Sequence, residues 1–281
     1  MEQGRAWIDG LPDELAGQRA IMHRLLAVSE ADPDVCWLAI GCSVARGAGD
    51  RMSDLDMGIG VREEAFAAAR DRIRTAADGL GDLVESYHHQ LPGVPPPHER
   101  VFAQYADGCQ LDLVILPAVL PGGPLPRTVM LYDRNGKSAE AVAGVAAKAP
   151  GPEAGQLREW AFGGWCALAD LAKYVRRGSV WEALDRLHEA RTQLWRLHAA
   201  ASGIADPQFG LTSVLDFGPD DIPAGIGETV ARLSLPSLLA AARQTARLLT
   251  MTGERLPAEE RAALPQAMAS YVTTLLDSIG A

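Results

Sequence analysis

The stretch Gly41-Cys42-Ser43-Val44-Ala45-Arg46-Gly47, followed five residues later by Ser53-Asp54-Leu55-Asp56, decides how this chain is read. Residues 36–41 (CWLAIG) form a short apolar run ending in glycine and predict a buried strand. Residues 53–61 (SDLDMGIGV) predict a second. Side chains alternate along a strand, so Asp54 and Asp56 project to one face while Leu55 and Met57 go to the other. Two carboxylates on one face repel, and keeping both ionised calls for a counterion. A divalent, oxygen-seeking cation such as Mg²⁺ meets that need. Upstream, Gly41, Ser43 and Gly47 surround a turn. Its small residues let backbone N–H groups approach a phosphate, and the Ser43 hydroxyl can donate as well.

Working outward, residues 11–30 carry Leu15, Ile21, Met22, Leu25 and Leu26 at helical spacing. A second helix is expected from about Glu63 to Ala77, with strand-like runs at 82–91, 99–106 and 109–117. Asp107-Gly108 separates the last two and signals a hairpin. Asp112 is an acid inside the apolar run Gln110-Leu111-Asp112-Leu113-Val114-Ile115, where a charge needs a reason. If its strand neighbours that of Asp54, three carboxylates converge. A phosphate cradle with convergent carboxylates is the equipment for metal-assisted transfer at phosphorus. Glu85 is another strand acid and a second candidate base, although a solvent-facing role fits it better.

Composition shifts at residues 117–126 (PAVLPGGPLP), which hold four of the eighteen prolines and end the sheet region. Beyond them Leu157, Trp160, Ala161, Trp165, Leu168, Leu171, Ala172 and Val175 describe one helix to about Arg177, stopped by Gly178. A second begins near Ser179, a candidate N-cap, with Leu184, Leu187, Leu194 and Leu197 inward. Residues 203–225 look loop-like, and two more helices are expected over 228–252 and 257–279, the first broken or kinked at Pro236. Trp160, Trp165, Trp181 and Trp195 fall at helical spacing and are expected in the core. The expected fold is α+β, with a mixed sheet domain over 1–135, a connector at 136–149 and an α-helical bundle over 150–281.

The combination of Ser43 to Gly47, Ser53 to Asp56 and Asp112 resembles the DNA polymerase β-like nucleotidyltransferase superfamily. The order of domains looks like its small-molecule branch, which includes aminoglycoside and lincosamide nucleotidyltransferases. The resemblance covers about residues 36–117. It implies that Asp54, Asp56 and Asp112 bind Mg²⁺ and act in catalysis. It also implies that Gly41, Ser43, Arg46, Gly47 and Ser53 hold the nucleoside triphosphate, with Lys173 reaching it from the helical domain. AMP would pass from ATP to a hydroxyl of a small, antibiotic-like acceptor, and pyrophosphate would leave. Antibiotic resistance is the corresponding biological role. Asp112 serves in such relatives as the base for the acceptor hydroxyl. One departure stands out: the glycine that the family places before the serine is Cys42 here, where a side chain could narrow the turn.

The 281 residues include 26 Lys+Arg and 36 Asp+Glu, a net charge of −10. That balance argues against nucleic acid as the main partner and suits a cationic one. Hydrophobic residues make up 48%, ample for buried cores, so disorder is excluded as the main state. Every long apolar stretch is interrupted before the roughly 18 residues of a membrane span, and no basic-then-apolar leader opens the chain, so a cytoplasmic location is expected. The scattered Cys36, Cys42, Cys109 and Cys166 read as reduced thiols, and His88, His89 and His98 lack zinc spacing. Two other functions compete: adenylylation of a protein or tRNA, and nucleotide binding without turnover, the latter prompted by Cys42.

Overall fold

The computed structural model of the chain describes residues 2–91, 98–118, 128–136 and 151–279. Most of the proline-rich segment and of the expected connector lies outside them. The chain divides into two units, Met1–Ala147 and Lys148–Ala281.

The first unit opens with α1 (Glu2–Asp9), which no periodicity announces, since Trp7 and Ile8 are its only large apolar residues. Helix α2 (Ala16–Ala31) follows, burying Ile21, Met22, Leu25 and Leu26 as their spacing predicts. Then come β1 (Val35–Ile40), the single-turn α3 (Cys42–Ala45) and β2 (Leu55–Val61). Next are α4 (Phe66–Asp78), β3 (Leu83–Leu91), β4 (His98–Tyr105), β5 (Gln110–Pro117) and β6 (Val129–Asp133). Helix α4 buries Ala69, Ile73 and Ala77, one residue per turn.

Among the described residues the strands form one six-stranded sheet in the order β3-β4-β5-β2-β1-β6. β2 and β5 run parallel, and every other neighbouring pair is antiparallel. The sheet is therefore mixed, as expected. β6 was not foreseen, because its five residues follow the proline-rich segment too closely to stand out as a run. One face of the sheet is the core: Leu38, Ile40, Leu55, Met57, Ile59, Leu111, Leu113, Ile115, Val101 and Tyr105 are buried together with the apolar sides of α2 and α4. On the opposite face Trp37, Ala39 and Leu116 make a small apolar patch. There the Trp37 indole lies against Gly60, where a Cβ would come within 2.1 Å of Cε2 and Nε1. The indole N–H donates to the Ala118 carbonyl at 3.1 Å.

The second unit is helical: α5 (Ala154–Arg177), α6 (Val180–Ala201), α7 (Leu211–Phe217), α8 (Leu235–Arg255), α9 (Ala258–Ala262) and α10 (Gln266–Asp277). Helix α5 ends at Gly178 with φ +73°, as anticipated. Ser179 occupies the N-cap position of α6, but its hydroxyl bonds the Glu182 carboxylate instead of a backbone N–H. Four expectations need correction. Pro236 lies in the first turn of α8, where its missing N–H costs nothing, so the helix starts there and is not kinked. The helix expected over 257–279 is two, because Pro265 interrupts it. Trp160, Trp165 and Trp195 are core, whereas Trp181 is 70% exposed; it sits on the polar side of α6, off the line of Ala183, Leu187, Ala190 and Leu194. The supposed loop at 203–225 contains α7. Among the described residues no helix is long and apolar enough to cross a membrane.

Candidate active site

Asp56 of β2 and Asp112 of β5 are partners in the parallel ladder, level with each other across one inter-strand step. Paired residues share a face, so both carboxylates leave the sheet on the side opposite the helices. Asp54 lies two residues before Asp56, and its negative charge is felt there together with that of Asp112. The three expected acids are thus brought to one region. Loss of water is the main force raising the Asp56 carboxyl above the usual carboxylate range; its two acidic neighbours push the same way, and a hydrogen bond from Cys42 opposes them.

The 41–47 segment is tied directly to this row. The Gly41 N–H donates to the Asp56 carbonyl at 2.8 Å, so the bend begins beside the carboxylate. It then winds into α3, whose first amides, as in any helix, lack partners within the helix. Ser43 is part of α3 and its carbonyl accepts from the Ala48 N–H at 3.0 Å. Arg46 caps the turn, and its charge reaches the Cys42 thiol. Gly47 has φ +73°, a left-handed value that suits glycine.

Cys42 itself has φ +53°, so the left-handed residue at the start of the bend is the cysteine and not Gly41, whose φ is −120°. A glycine would take this backbone conformation without strain. Here a thiol stands in its place, pushed up to about 12 by desolvation first and then by donation to the Asp56 carboxylate and the nearby charge of Asp54. Although the residue is largely exposed, its sulfur faces the acids.

Two residues that sequence reasoning passed over complete the geometry. Arg100 of β4 grips Asp112 with both arms: Nε donates to Oδ1 at 2.6 Å, and the terminal NH₂ donates to Oδ2. The Asp112 side chain is 12% exposed, and that of Arg100 42%. Arg100 pairs with Val114, diagonal to Asp112 on the same face. The signal that could have revealed it is the length of the hairpin loop. Tyr105 closes onto Cys109 at 2.9 Å, leaving three loop residues, Ala106, Asp107 and Gly108, with Gly108 at φ +93°. A two-residue turn would have put Ala103 opposite Asp112. The second residue is Gln18 of α2, only 2% exposed, whose amide donates to the carbonyls of Arg51 at 3.2 Å and Ser53 at 3.0 Å. It pegs the loop that delivers Asp54.

Ser53 turns its hydroxyl to that loop, accepting from the Asp50 N–H at 2.9 Å. Glu85 shares the carboxylate face, since it pairs with Gln104, but it lies on the edge strand two steps from β5. Lys173 lies on α5 of the second unit, paired with Asp170 at 2.5 Å and stacked over Tyr174 at 4.7 Å.

Whether these residues suit a metal ion can be judged from their donors. Among the described residues no group of three or more His, Cys, Asp or Glu side chains is gathered as a metal cluster. Of the three acids, Asp112 is the one whose two oxygens both accept from Arg100. Asp54 and Asp56, two residues apart beside the bend, offer carboxylate oxygens, the hard donors that a small divalent cation takes. The pair fits a small divalent cation.

No protein-family model matches the chain, and no curated protein does. Solved structures similar to it include an aminoglycoside 6-adenyltransferase from Bacillus subtilis, 13% identical with a TM-score of 0.39, covering 92% of this chain and 98% of that one. Another is a nucleotidyltransferase-like protein from Exiguobacterium sibiricum, 12% identical with a TM-score of 0.38, covering 90% and 86%. Likeness of this degree leaves the weight on strand order and register.

Proposed function

We propose that the chain is a nucleotidyltransferase that moves AMP from ATP onto a hydroxyl of a small, cationic, antibiotic-like acceptor, releasing pyrophosphate. The observation that carries this reading is the level pairing of Asp56 with Asp112, beside a bend whose first amide is bonded to the Asp56 carbonyl. Asp54 and Asp56 would hold Mg²⁺, which supplies neutralising charge to the triphosphate. The 41–47 bend offers backbone N–H groups and the Ser43 hydroxyl to the phosphate oxygens. Asp112 accepts the proton of the acceptor hydroxyl as its oxygen bonds to the α-phosphorus. The bond to the bridging oxygen breaks opposite, and the electron pair leaves with pyrophosphate. Arg100 fixes the direction in which the Asp112 oxygens point. Catalysis in this scheme is positioning and charge compensation.

The test is incubation with α-labelled ATP, Mg²⁺ and a panel of amino-sugar and lincosamide acceptors. Label should pass to an acceptor in the wild type and fall at least a thousandfold in Asp56→Asn, with the melting temperature preserved. Transfer that survives in folded Asp54→Asn and Asp56→Asn rejects the assignment. Nucleotide binding without turnover, the competing reading drawn from Cys42, predicts calorimetric binding of ATP with no pyrophosphate released whatever the acceptor.

A further inference from the structure

The carboxylate face does not end at Asp112. Continuing along the same ladder row, Asp112 is level with Phe102 of β4, and Phe102 with Tyr87 of the edge strand β3. The next row runs from Val114 through Arg100 to His89. Side chains opposite one another share a face, so Phe102, Arg100, Tyr87 and His89 all stand on the side of the acids. The intervening residues confirm the parity, because Glu99 and His88 point the other way to Arg74 of α4. Tyr87 and His89 stack on each other with ring centroids 5.2 Å apart. Tyr87 is 63% exposed, and the His89 Nδ1 is shut off from water without a hydrogen-bond partner among the described residues. A large aromatic ring left open, held by a stacked imidazole and in the same row as an acid of the site, offers a flat face for a ligand.

We propose that Tyr87 and His89 form the far end of the acceptor site, binding a cationic, polyhydroxylated molecule at least two rings long that lies across β5, β4 and β3. This rests on the nucleotidyl-transfer reading. In-line displacement puts acceptor and pyrophosphate on opposite sides of the phosphorus. The bend at 41–47 lies on the β1–β2 side, so the acceptor belongs on the β5–β4–β3 side. From β5 to β3 is two inter-strand steps, roughly 10 Å, about the length of two linked sugar-like rings. The ring faces of Tyr87 and Phe102 suit C–H edges and ammonium groups, and Glu85, on the same face of β3, adds negative charge. His89 acts through its ring, which stacks on Tyr87 and holds that ring in place.

The probes are neamine, a two-ring aminoglycoside, and 2-deoxystreptamine, its one-ring fragment. Tyr87→Ala should raise KM for neamine at least tenfold while KM for ATP and kcat stay within twofold; Tyr87→Phe should match the wild type. With 2-deoxystreptamine, Tyr87→Ala should change nothing, because a one-ring acceptor held at Asp112 stops short of β3. A rise in KM for ATP instead, or an equal loss with both acceptors, overturns the proposal. Should the wild type transfer nothing, the nucleotidyl-transfer reading fails by itself, and neamine is titrated calorimetrically into nucleotide-free protein. Binding that weakens tenfold in Tyr87→Ala and persists in Asp54→Asn then supports the aromatic end of the site, and absence of binding to the wild type overturns it. The exposure of Tyr87 makes the variants safe for folding, checked by an unchanged melting temperature.

Discussion

Cys42 carries a backbone cost that its side chain chemistry does not reveal. A left-handed conformation is unfavourable by about 1–2 kcal/mol for an ordinary L-residue and nearly free for glycine. Cys42→Gly removes that strain but loses the contact to Asp56 and adds unfolded-state entropy, so stability should stay within about 1 kcal/mol of the wild type. Cys42→Val puts a β-branched residue at φ +53° and should lose roughly 2 kcal/mol or more. Chemical denaturation of the three proteins checks this, and equal stability of the valine and glycine variants would refute it. Arg100 presents a different case. Removing the guanidinium leaves a carboxylate that is 12% exposed without its two donors, and Arg100→Gln should cost about 1–3 kcal/mol. The measurement is the same. Neither effect could be read from composition: a positive φ and a diagonal ion pair are products of register, and register depended on one loop residue.

At the scale of elements, β2 and β5 were legible because their apolar residues alternate with acids, and α2, α5 and α6 because theirs recur every three or four positions. What stayed hidden were pieces whose stability is borrowed. α1 and β6 are too short to show a period, and whether a proline opens a helix, as Pro236 does, or separates two, as Pro265 does, depends on where each helix starts. Gln18 looked like one more polar residue of a helix until the loop it holds was seen. Gln18→Leu leaves two loop carbonyls without their donor and should destabilise the first unit by about 1–3 kcal/mol. If the loop sets the direction of Asp54, Mg²⁺ affinity measured by calorimetry should fall in the same variant; a stability loss with unchanged affinity would separate the two roles. Gly60→Ala tests the opposite face. Its methyl would collide with the Trp37 indole, and overpacking of that kind costs about 1–3 kcal/mol. A shift in the Trp37 emission should accompany the lower melting temperature.

At the scale of the whole molecule, the buried His198 is expected to make the stability of the second unit depend on pH near neutrality. His198 is 1% exposed. Its Nε2 donates to the Asp221 carbonyl at 2.5 Å, and its Nδ1 accepts from Arg255 at 3.2 Å, an arrangement that needs the neutral ring. Burial is the main cause that lowers its pKa, with Arg255 pushing the same way and Asp221 opposing. A folded-state value below the unfolded 6.5 means that the unfolded chain takes up the proton first. The stabilisation is therefore complete above about pH 7 and is lost as the pH falls below 6.5 toward the folded value. Four of the six tryptophans lie in this unit, so tryptophan emission during denaturation at pH 7.5 and pH 5.5 follows it. His198→Gln should flatten the difference, and an unaltered pH response in that variant would assign it to other groups.

The three-residue loop between β4 and β5 sets more than a turn. Had the chain closed there with one residue fewer, β5 would meet β4 out of phase by one position. Whichever strand kept its orientation, Arg100 and Asp112 would then lie on opposite sides of the sheet, and Tyr87 would no longer share a row with the acid. A sequence change that drew Ala106 into β4 opposite Cys109, with every acidic residue preserved, would thus keep the motif and lose the site. Loop length in this hairpin is a constraint of the same rank as the identity of the acids, and one that a search for conserved letters overlooks.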